Sequence, residues 1–379
     1  MKRVLILQEY VPSYRQMFFD RLAERGLAAQ LEIVVGSGAP SAELMVRNDR
    51  GGLQVARHVY IDQREFRFLN RRVVHRNART LERNSDFIIL EQARRNLDVY
   101  KLLLPRRSSK APIALWGHGR DYTNQNTKLE RWIQRILTRR AAWFFAYTSG
   151  GKEAAQLAGI SPHRVTVVQN TTDVEALRND IARIGLSDSH LLRERYAAKG
   201  PIAVHLGALD ESKRIEFLIE AVQKVRKRIP NLTFIFAGDG EMRPRVDEFA
   251  RSRDWVHILG NVEGKSKAAV LCAADVLCLP GRVGLVAVDS LAAGVPIITT
   301  NWPWHAPEFE YLENDTNAVV SGDSVEEYVE AVVITLKSKD KLRQLSAAAS
   351  SAGENFSVDK MAELFLSGIL EAMQLSPND

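Results

Sequence analysis

The chain has 379 residues, 45% of them hydrophobic and 26% charged, with a net charge of +6. That length and apolar content predict two domains with separate cores and exclude a disordered or fibrous chain. No apolar run approaches a membrane span, and the run before Gln8 is too short for a signal-peptide core, so a soluble, cytoplasmic protein is expected.

The charge is unevenly spread. Residues 1–180 hold 30 Lys and Arg against 18 Asp and Glu, a net +12, which leaves −6 for the remainder. The densest basic stretch, "REFRFLNRRVVHRNARTLER", puts seven arginines between Arg64 and Arg83. Such asymmetry predicts an anionic partner for the first half, either an anionic membrane surface or a phosphate-bearing lipid acceptor. The alternative is a solvated helix face with local ion pairs. No zinc-finger spacing and no basic-plus-heptad pattern accompanies it, so nucleic acid is not expected as a partner.

In chain order, short apolar runs alternate with amphipathic ones. The first half offers strands at Arg3–Leu7, Leu31–Val35, Asp86–Leu90, Pro112–Trp116, Trp143–Tyr147 and Val165–Val168. The polar stretch after Asn170 marks the passage to a second array. That array has strands at Ile202–Gly207, Leu232–Gly238, Val256–Gly260, Asp275–Leu279, Pro296–Thr300 and Ala318–Val320. These runs are apolar throughout rather than alternating, as strands covered on both faces should be. Between them, Ile215, Leu218, Ile219, Val222, Val225 and Ile229 recur with a helical period. Ser324 and Glu327 stand at capping-box spacing before another helix. Two successive β/α arrays predict an α/β protein of two Rossmann-like domains. Cys272 and Cys278, the only cysteines, read as small core residues.

Glycine-rich turns follow several strands: "GHGRD" (Gly117–Asp121), "GDGEM" (Gly238–Met242) and the Pro-Gly turn of "LPGRVGLVAVDSLAAGVPIITT" (Leu279–Thr300). Singly these are weak, because none has the third glycine of a dinucleotide fingerprint. "SGGKE" (Ser149–Glu153) fails as a P-loop, with Ala146 at the first glycine and Glu153 at the Ser/Thr position. No H-E-x-x-H, Cys/His quartet or G-x-S-x-G is present, so neither a metal site nor serine acyl transfer is expected.

Taken together, "HLGALDESKRIEFLIEAV", "FIFAGDGEMR", "VHILGNV", "AADVLCLP" and "GLVAVDSLAAGVPIIT" resemble, in order and spacing, the GT-B glycosyltransferases of glycosyltransferase family 4. The resemblance covers roughly residues 165–320. It is thin over 1–164, where "YVPSYRQMFFDRL", "WGHGRD" and the strand order carry it. It implies two Rossmann-like domains facing across a cleft. An N-terminal acceptor domain would span 1–173, a donor domain 174–360, and a last helix, about 361–375, would pack back on the first. The implied activity is metal-independent, retaining transfer of a sugar from a nucleoside-diphosphate sugar, used as substrate with no further cofactor, to a polysaccharide, glycolipid or related acceptor. Two other readings fit the same resemblance: a non-catalytic nucleotide- or partner-binding protein, and a nucleotide-sugar epimerase. The implied setting is cytoplasmic, peripheral on the inner face of the membrane.

The resemblance carries site residues position by position. Lys213 matches the family lysine that stabilises the departing diphosphate, a task suited to a point charge, and is expected to open a helix. Arg214 follows it. Ala208 stands where the family has arginine after the glycine matched by Gly207, so Arg214 or Arg282 is expected to substitute. Gly238, Gly284, Leu285 and Val286 bring backbone to the donor. The family's E-x7-E pair becomes Gly281 and Asp289, which removes the sugar-contacting carboxylate and leaves Asp289 for the ribose hydroxyls. Glu308, after Pro307, is a candidate to replace part of what Gly281 lacks. His118 is implied to contact the donor sugar, with a structural histidine as the other reading. Tyr14, Arg15 and Arg120 are candidates for acceptor or phosphate contacts, with a surface turn as the other reading of the first two.

Overall fold

The computed structural model describes residues 1–39, 51–68, 71–104, 111–120, 122, 127–196 and 199–374. The strands are β1 (Lys2–Gln8), β2 (Leu31–Ser37), β3 (Arg57–Tyr60), β4 (Gln63–Phe68), β5 (Arg71–Arg76), β6 (Phe87–Glu91), β7 (Ile113–Gly117), β8 (Trp143–Ala146) and β9 (Val165–Val167), then β10 (Ile202–Leu206), β11 (Thr233–Ala237), β12 (Val256–Gly260), β13 (Val276–Cys278), β14 (Ile297–Thr300) and β15 (Ala318–Ser321). The chain divides into two units, Met1–Asn170 with the segment from Val358 onward, and Thr171–Ser357.

Each unit is built on one parallel sheet. The first has the order β3-β2-β1-β6-β7-β8-β9, the second β12-β11-β10-β13-β14-β15. Both begin at the centre, run outward to one edge, then return and run to the other, which is the doubly wound arrangement. The central strands are buried along their length: Val4, Leu5, Ile6 and Leu7 in β1 and Ala203, Val204 and His205 in β10 are at most 1% exposed. Helices cover both faces, which explains why these strands read as continuous apolar runs. The helix Ile215–Arg228 buries the periodic residues Ile215, Leu218, Ile219, Val222 and Val225. Before the helix Val325–Lys337, Ser324 and Glu327 form the expected capping box.

The last helix, Val358–Gln374, belongs to the first unit. Phe365 stacks on Phe145 at 4.1 Å and meets Trp116 and Phe18 edge-on. Gly368 is required there, since a Cβ would stand 2.4 Å from Thr166 Oγ1.

The antiparallel pair β4–β5 was not expected. Its residues are mostly polar or charged, with only short apolar interruptions such as Phe66 and Val73–Val74, so a search for continuous apolar runs passes over it, and the arginines of Arg64–Arg76 lie on a hairpin rather than a helix face. Among the described residues, no helix is long and apolar enough to cross a membrane.

Candidate functional site

In the second unit, β10 and β13 are neighbours whose connections leave toward opposite edges of the sheet. The loops after their carboxyl ends therefore flank a crevice where doubly wound sheets take ligands. Glycines let these loops touch backbone to backbone. Gly207 has φ +137°, and a Cβ on Gly238 would lie 1.8 Å from the Gly207 carbonyl oxygen. Gly281 presses on the other loop: a Cβ there would stand 2.5 Å from the Ser212 carbonyl oxygen and 2.7 Å from Lys213 Cα. The Arg282 amide then donates to that same Ser212 carbonyl at 2.8 Å. The position that lacks a carboxylate is thus a packing contact that admits no side chain on this backbone.

Lys213 does not open the helix. It ends a 3-10 turn, Glu211–Lys213, and the α-helix starts at Ile215 after Arg214 in the left-handed region, φ 56°. The difference matters, because the turn aims Lys213 across the sheet end, where its Nζ donates to the Arg282 carbonyl. Burial pulls the ammonium pKa down to about 8; Arg282 lowers it further, while Asp210 and Glu308 oppose the shift.

The loop 280–286 is clamped from its far side. The Arg282 guanidinium donates to the Trp304 carbonyl at 3.1 Å, and the Ala306 amide donates to the Val283 carbonyl at 2.8 Å. The Val283 amide donates to His305 Nδ1 at 3.1 Å, while Nε2 of that ring faces the Thr300 carbonyl at 2.9 Å. These partners require a neutral ring with the proton on Nε2. Burial holds the His305 pKa down at about 4, and the ring stacks on Phe309 at 4.0 Å. Sequence reasoning missed His305; a lone histidine between Trp304 and Phe309 carries no spacing signal.

Beyond the clamp, the amides of Gly284, Leu285 and Val286 make no hydrogen bond among the described residues. They point out of the start of the helix Val286–Ala293, where the backbone dipole favours negative charge. Glu308 is buried, with Oε2 3.9 Å from where a Cβ on Gly284 would stand.

Two expected donor residues are already engaged. Asp289, in that helix, accepts from Thr172 Oγ1 at 2.9 Å and from Lys267 Nζ at 3.0 Å. A ribose would have to share or displace these donors. Arg214 pairs with Asp323, reaches Thr300 Oγ1 at 3.3 Å and lies over Phe217 at 4.2 Å. It also donates to the Pro280 carbonyl at 3.3 Å, at the start of the loop, and Arg282 is the cation whose charge acts on Lys213.

In the first unit, His118 and Arg120 are exposed just past the carboxyl end of β7. The His118 ring sits 4.7 Å from that of Tyr147, and Arg120 lies 4.5 Å over Tyr122. Tyr14 and Arg15 belong to the 3-10 turn Ser13–Arg15 after β1. Arg15 is not on a surface turn: it is 7% exposed, between Tyr147 and Trp116.

Solved structures share this build over nearly the full length. One is Anabaena Alr3699/HepE in complex with UDP and glucose, with a TM-score of 0.68, 15% identity and coverage of 98% of this chain and 100% of that one. Two doubly wound units of this kind make the protein a member of the GT-B fold class. Residues 200–338 match the family model described as glycosyl transferases group 1. Among named relatives, alpha-D-kanosaminyltransferase of Streptomyces kanamyceticus is 26% identical over 49% of this chain and 52% of its own. The GDP-mannose-dependent alpha-(1-6)-phosphatidylinositol monomannoside mannosyltransferase of Mycobacterium tuberculosis is 30% identical over 41% of this chain and 44% of its own. The chain thus spans about half the length of these relatives.

Proposed function

We propose that this protein is a glycosyltransferase that moves a sugar, with retention and without a metal, from a nucleoside-diphosphate sugar to a polysaccharide, glycolipid or related acceptor. The observation that carries the reading is the contact of Lys213 with the loop that ends in the unbonded amides of Gly284, Leu285 and Val286. When the bond from the anomeric carbon to the diphosphate breaks, negative charge grows on the departing oxygens. The Lys213 ammonium, the Arg282 cation and the amides at the helix start meet that charge. The relatives support the same chemistry, since they are named as glycosyltransferases and a structural neighbour holds UDP and glucose. Asp289 takes the ribose, Gly207 and Gly238 admit the donor to the sheet end, Glu308 and His118 contact the sugar, and Tyr14, Arg15 and Arg120 serve the acceptor.

The test is a thermal-denaturation screen with nucleoside diphosphates and their sugars in the presence of a chelator, followed by product analysis. Stabilisation by a diphosphate and acceptor-dependent release of it support transfer. An epimerised donor, or binding without turnover, selects one of the other two readings.

The working site in this proposal is an anionic membrane on the cytoplasmic side. Exposed Arg64, Phe66, Arg71 and His75 share one face of the hairpin β4–β5. An ion pair from Arg71 to Glu130 ties the hairpin to the helix Lys128–Arg140. That helix presents Leu129 (64% exposed) and Trp132 (59%) among Lys128, Arg131, Arg135 and Arg139. Arginines meet lipid phosphates while tryptophan and leucine enter the interface.

A further inference from the structure

Among the described residues, two arginines are buried, and they are treated differently. Arg76 has its own carboxylate, Asp98, at 2.5 Å, with Glu91 at 3.7 Å. Arg15 makes no ion pair among the described residues. Its Nη1 donates to Gln8 Oε1 at 3.0 Å and its Nη2 to the Tyr147 hydroxyl at 2.5 Å, both neutral. The Trp116 ring lies 4.3 Å beneath it. Three buried donors there find no acceptor among the described residues: Arg15 Nε, Gln8 Nε2 and Trp116 Nε1. Glu91 acts on Arg15 only through its charge, without an ion-pair contact, and accepts from the Glu9 amide at 2.9 Å. A buried guanidinium normally has an anionic partner, because taking it out of water alone is costly.

The place of this group in the fold gives the deficit a meaning. Arg15 follows β1, whose neighbour on the other side of the topological switch is β6. It therefore stands at the ligand-binding end of the first sheet, as Lys213 does in the second. We propose that Arg15 is a binding site for an oxyanion, a phosphate or carboxylate, carried by the acceptor. Two of its five N–H groups are spent on Gln8 and Tyr147, and these fix the planar fork in place. Gln8 and Trp116 are each 1% exposed while Arg15 keeps 7%, so Arg15 is the member of this group that retains solvent access. The incoming oxyanion provides the missing countercharge, and the aromatic walls keep water from competing for it. The acceptor is thereby an anionic sugar, a sugar phosphate or a phospholipid headgroup rather than a neutral glycan. This inference rests on the acceptor reading of the first unit.

The test uses the full chain and the variants Arg15→Met, Arg15→Lys and Lys213→Ala. Thermal midpoints are measured with glycerol 3-phosphate, glucuronate and glycerol at matched chloride ionic strength, and with a short-chain phosphatidic acid below its micelle concentration. We expect an oxyanion to raise the wild-type midpoint where glycerol does not. That rise should persist in Lys213→Ala, shrink in Arg15→Lys and vanish in Arg15→Met. Without ligand, Arg15→Met should melt no lower than wild type, since it removes a buried charge that has no ion-pair contact. A response to the lipid but not to glycerol 3-phosphate places the oxyanion on a headgroup; the reverse places it on a soluble sugar. No response in wild type to any oxyanion, a response retained in Arg15→Met, or an Arg15→Met protein that melts well below wild type overturns the proposal. The donor reading fails separately, through the absence of any shift with nucleoside diphosphates.

Discussion

The Val283 amide donates to Nδ1 of His305 at 3.1 Å, so one neutral imidazole holds the loop whose next three amides face the candidate diphosphate site. The two nitrogens do different jobs, since Nε2 is anchored on the Thr300 carbonyl. His305→Asn, which can place an acceptor near the Nδ1 position, should keep most of the nucleotide affinity. His305→Gln, which reaches toward Thr300 instead, should lose tenfold or more, about 1.4 kcal/mol. Calorimetric titration with a nucleoside diphosphate checks both, and equal affinities in the two variants would remove His305 from the loop's support. The pH effect has a fixed sign. Because burial holds the folded pKa near 4, below the ordinary 6.5, the ring's contribution to stability is complete above about pH 6.5 and is lost as pH falls toward 4.

Lys213 titrates in the opposite range. Its folded pKa of about 8 lies below the ordinary 10.5, so the site loses its charge as pH rises through 8. Nucleoside diphosphate affinity should therefore fall between about pH 7 and 9 in wild type and stay flat in Lys213→Ala. Stability without ligand should rise with pH between about 8 and 10.5, because the unfolded chain binds the proton more tightly there. Turnover in Lys213→Ala should drop by on the order of 3 kcal/mol in the barrier, about two decades in rate, with little change in melting. Wild-type turnover in the folded variant refutes a role in leaving-group departure.

Much of this was legible in the residues, and the exceptions share a cause. The continuous apolar strands and the capping box at Ser324 and Glu327 follow from local rules, and the fold class followed with them. Three features do not follow from local rules. The hairpin β4–β5 sets Phe66 and Val74 among many charged residues, so it looked like a basic run. His305 acts through contacts to Val283 and Thr300, across a loop that sequence spacing does not encode. Arg15 looked like a surface turn residue, because nothing local announces that Trp116 and Tyr147 close over it.

The membrane reading depends on exposure of Trp132 and Leu129 in the helix Lys128–Arg140. Trp132→Ser should weaken sedimentation with vesicles containing anionic phospholipid without changing nucleotide affinity. Arg131→Ser with Arg135→Ser should weaken it further and flatten its salt dependence, each arginine contributing on the order of 1 kcal/mol. Wild type that sediments equally with neutral vesicles, or not at all at low salt, would leave a solvated basic face.

Gly281 decides what replaces the absent carboxylate. Gly281→Glu would set a Cβ 2.5 Å from the Ser212 carbonyl, so the loop carrying Arg282 must move or the protein must pay in stability. We expect a lower melting temperature and weaker nucleotide binding, in place of a gain in activity toward neutral sugars. Asp210 and Glu308 lie near as carboxylates, and the cations beside this position are the pair Lys213 and Arg282. A carboxylate on the donor sugar would be drawn to that pair, where a protein glutamate would repel it. Uridine diphosphate glucuronic acid should therefore be preferred over uridine diphosphate glucose by wild type, and Arg282→Ala should erase the preference. The Arg282 guanidinium also reaches the Trp304 carbonyl, so the preference is read as the ratio of the two donors within each protein, with its own uridine diphosphate affinity measured beside it. A wild type that prefers the neutral sugar, with no change on mutation, discards the acidic donor and leaves Arg282 as a diphosphate contact and loop clamp.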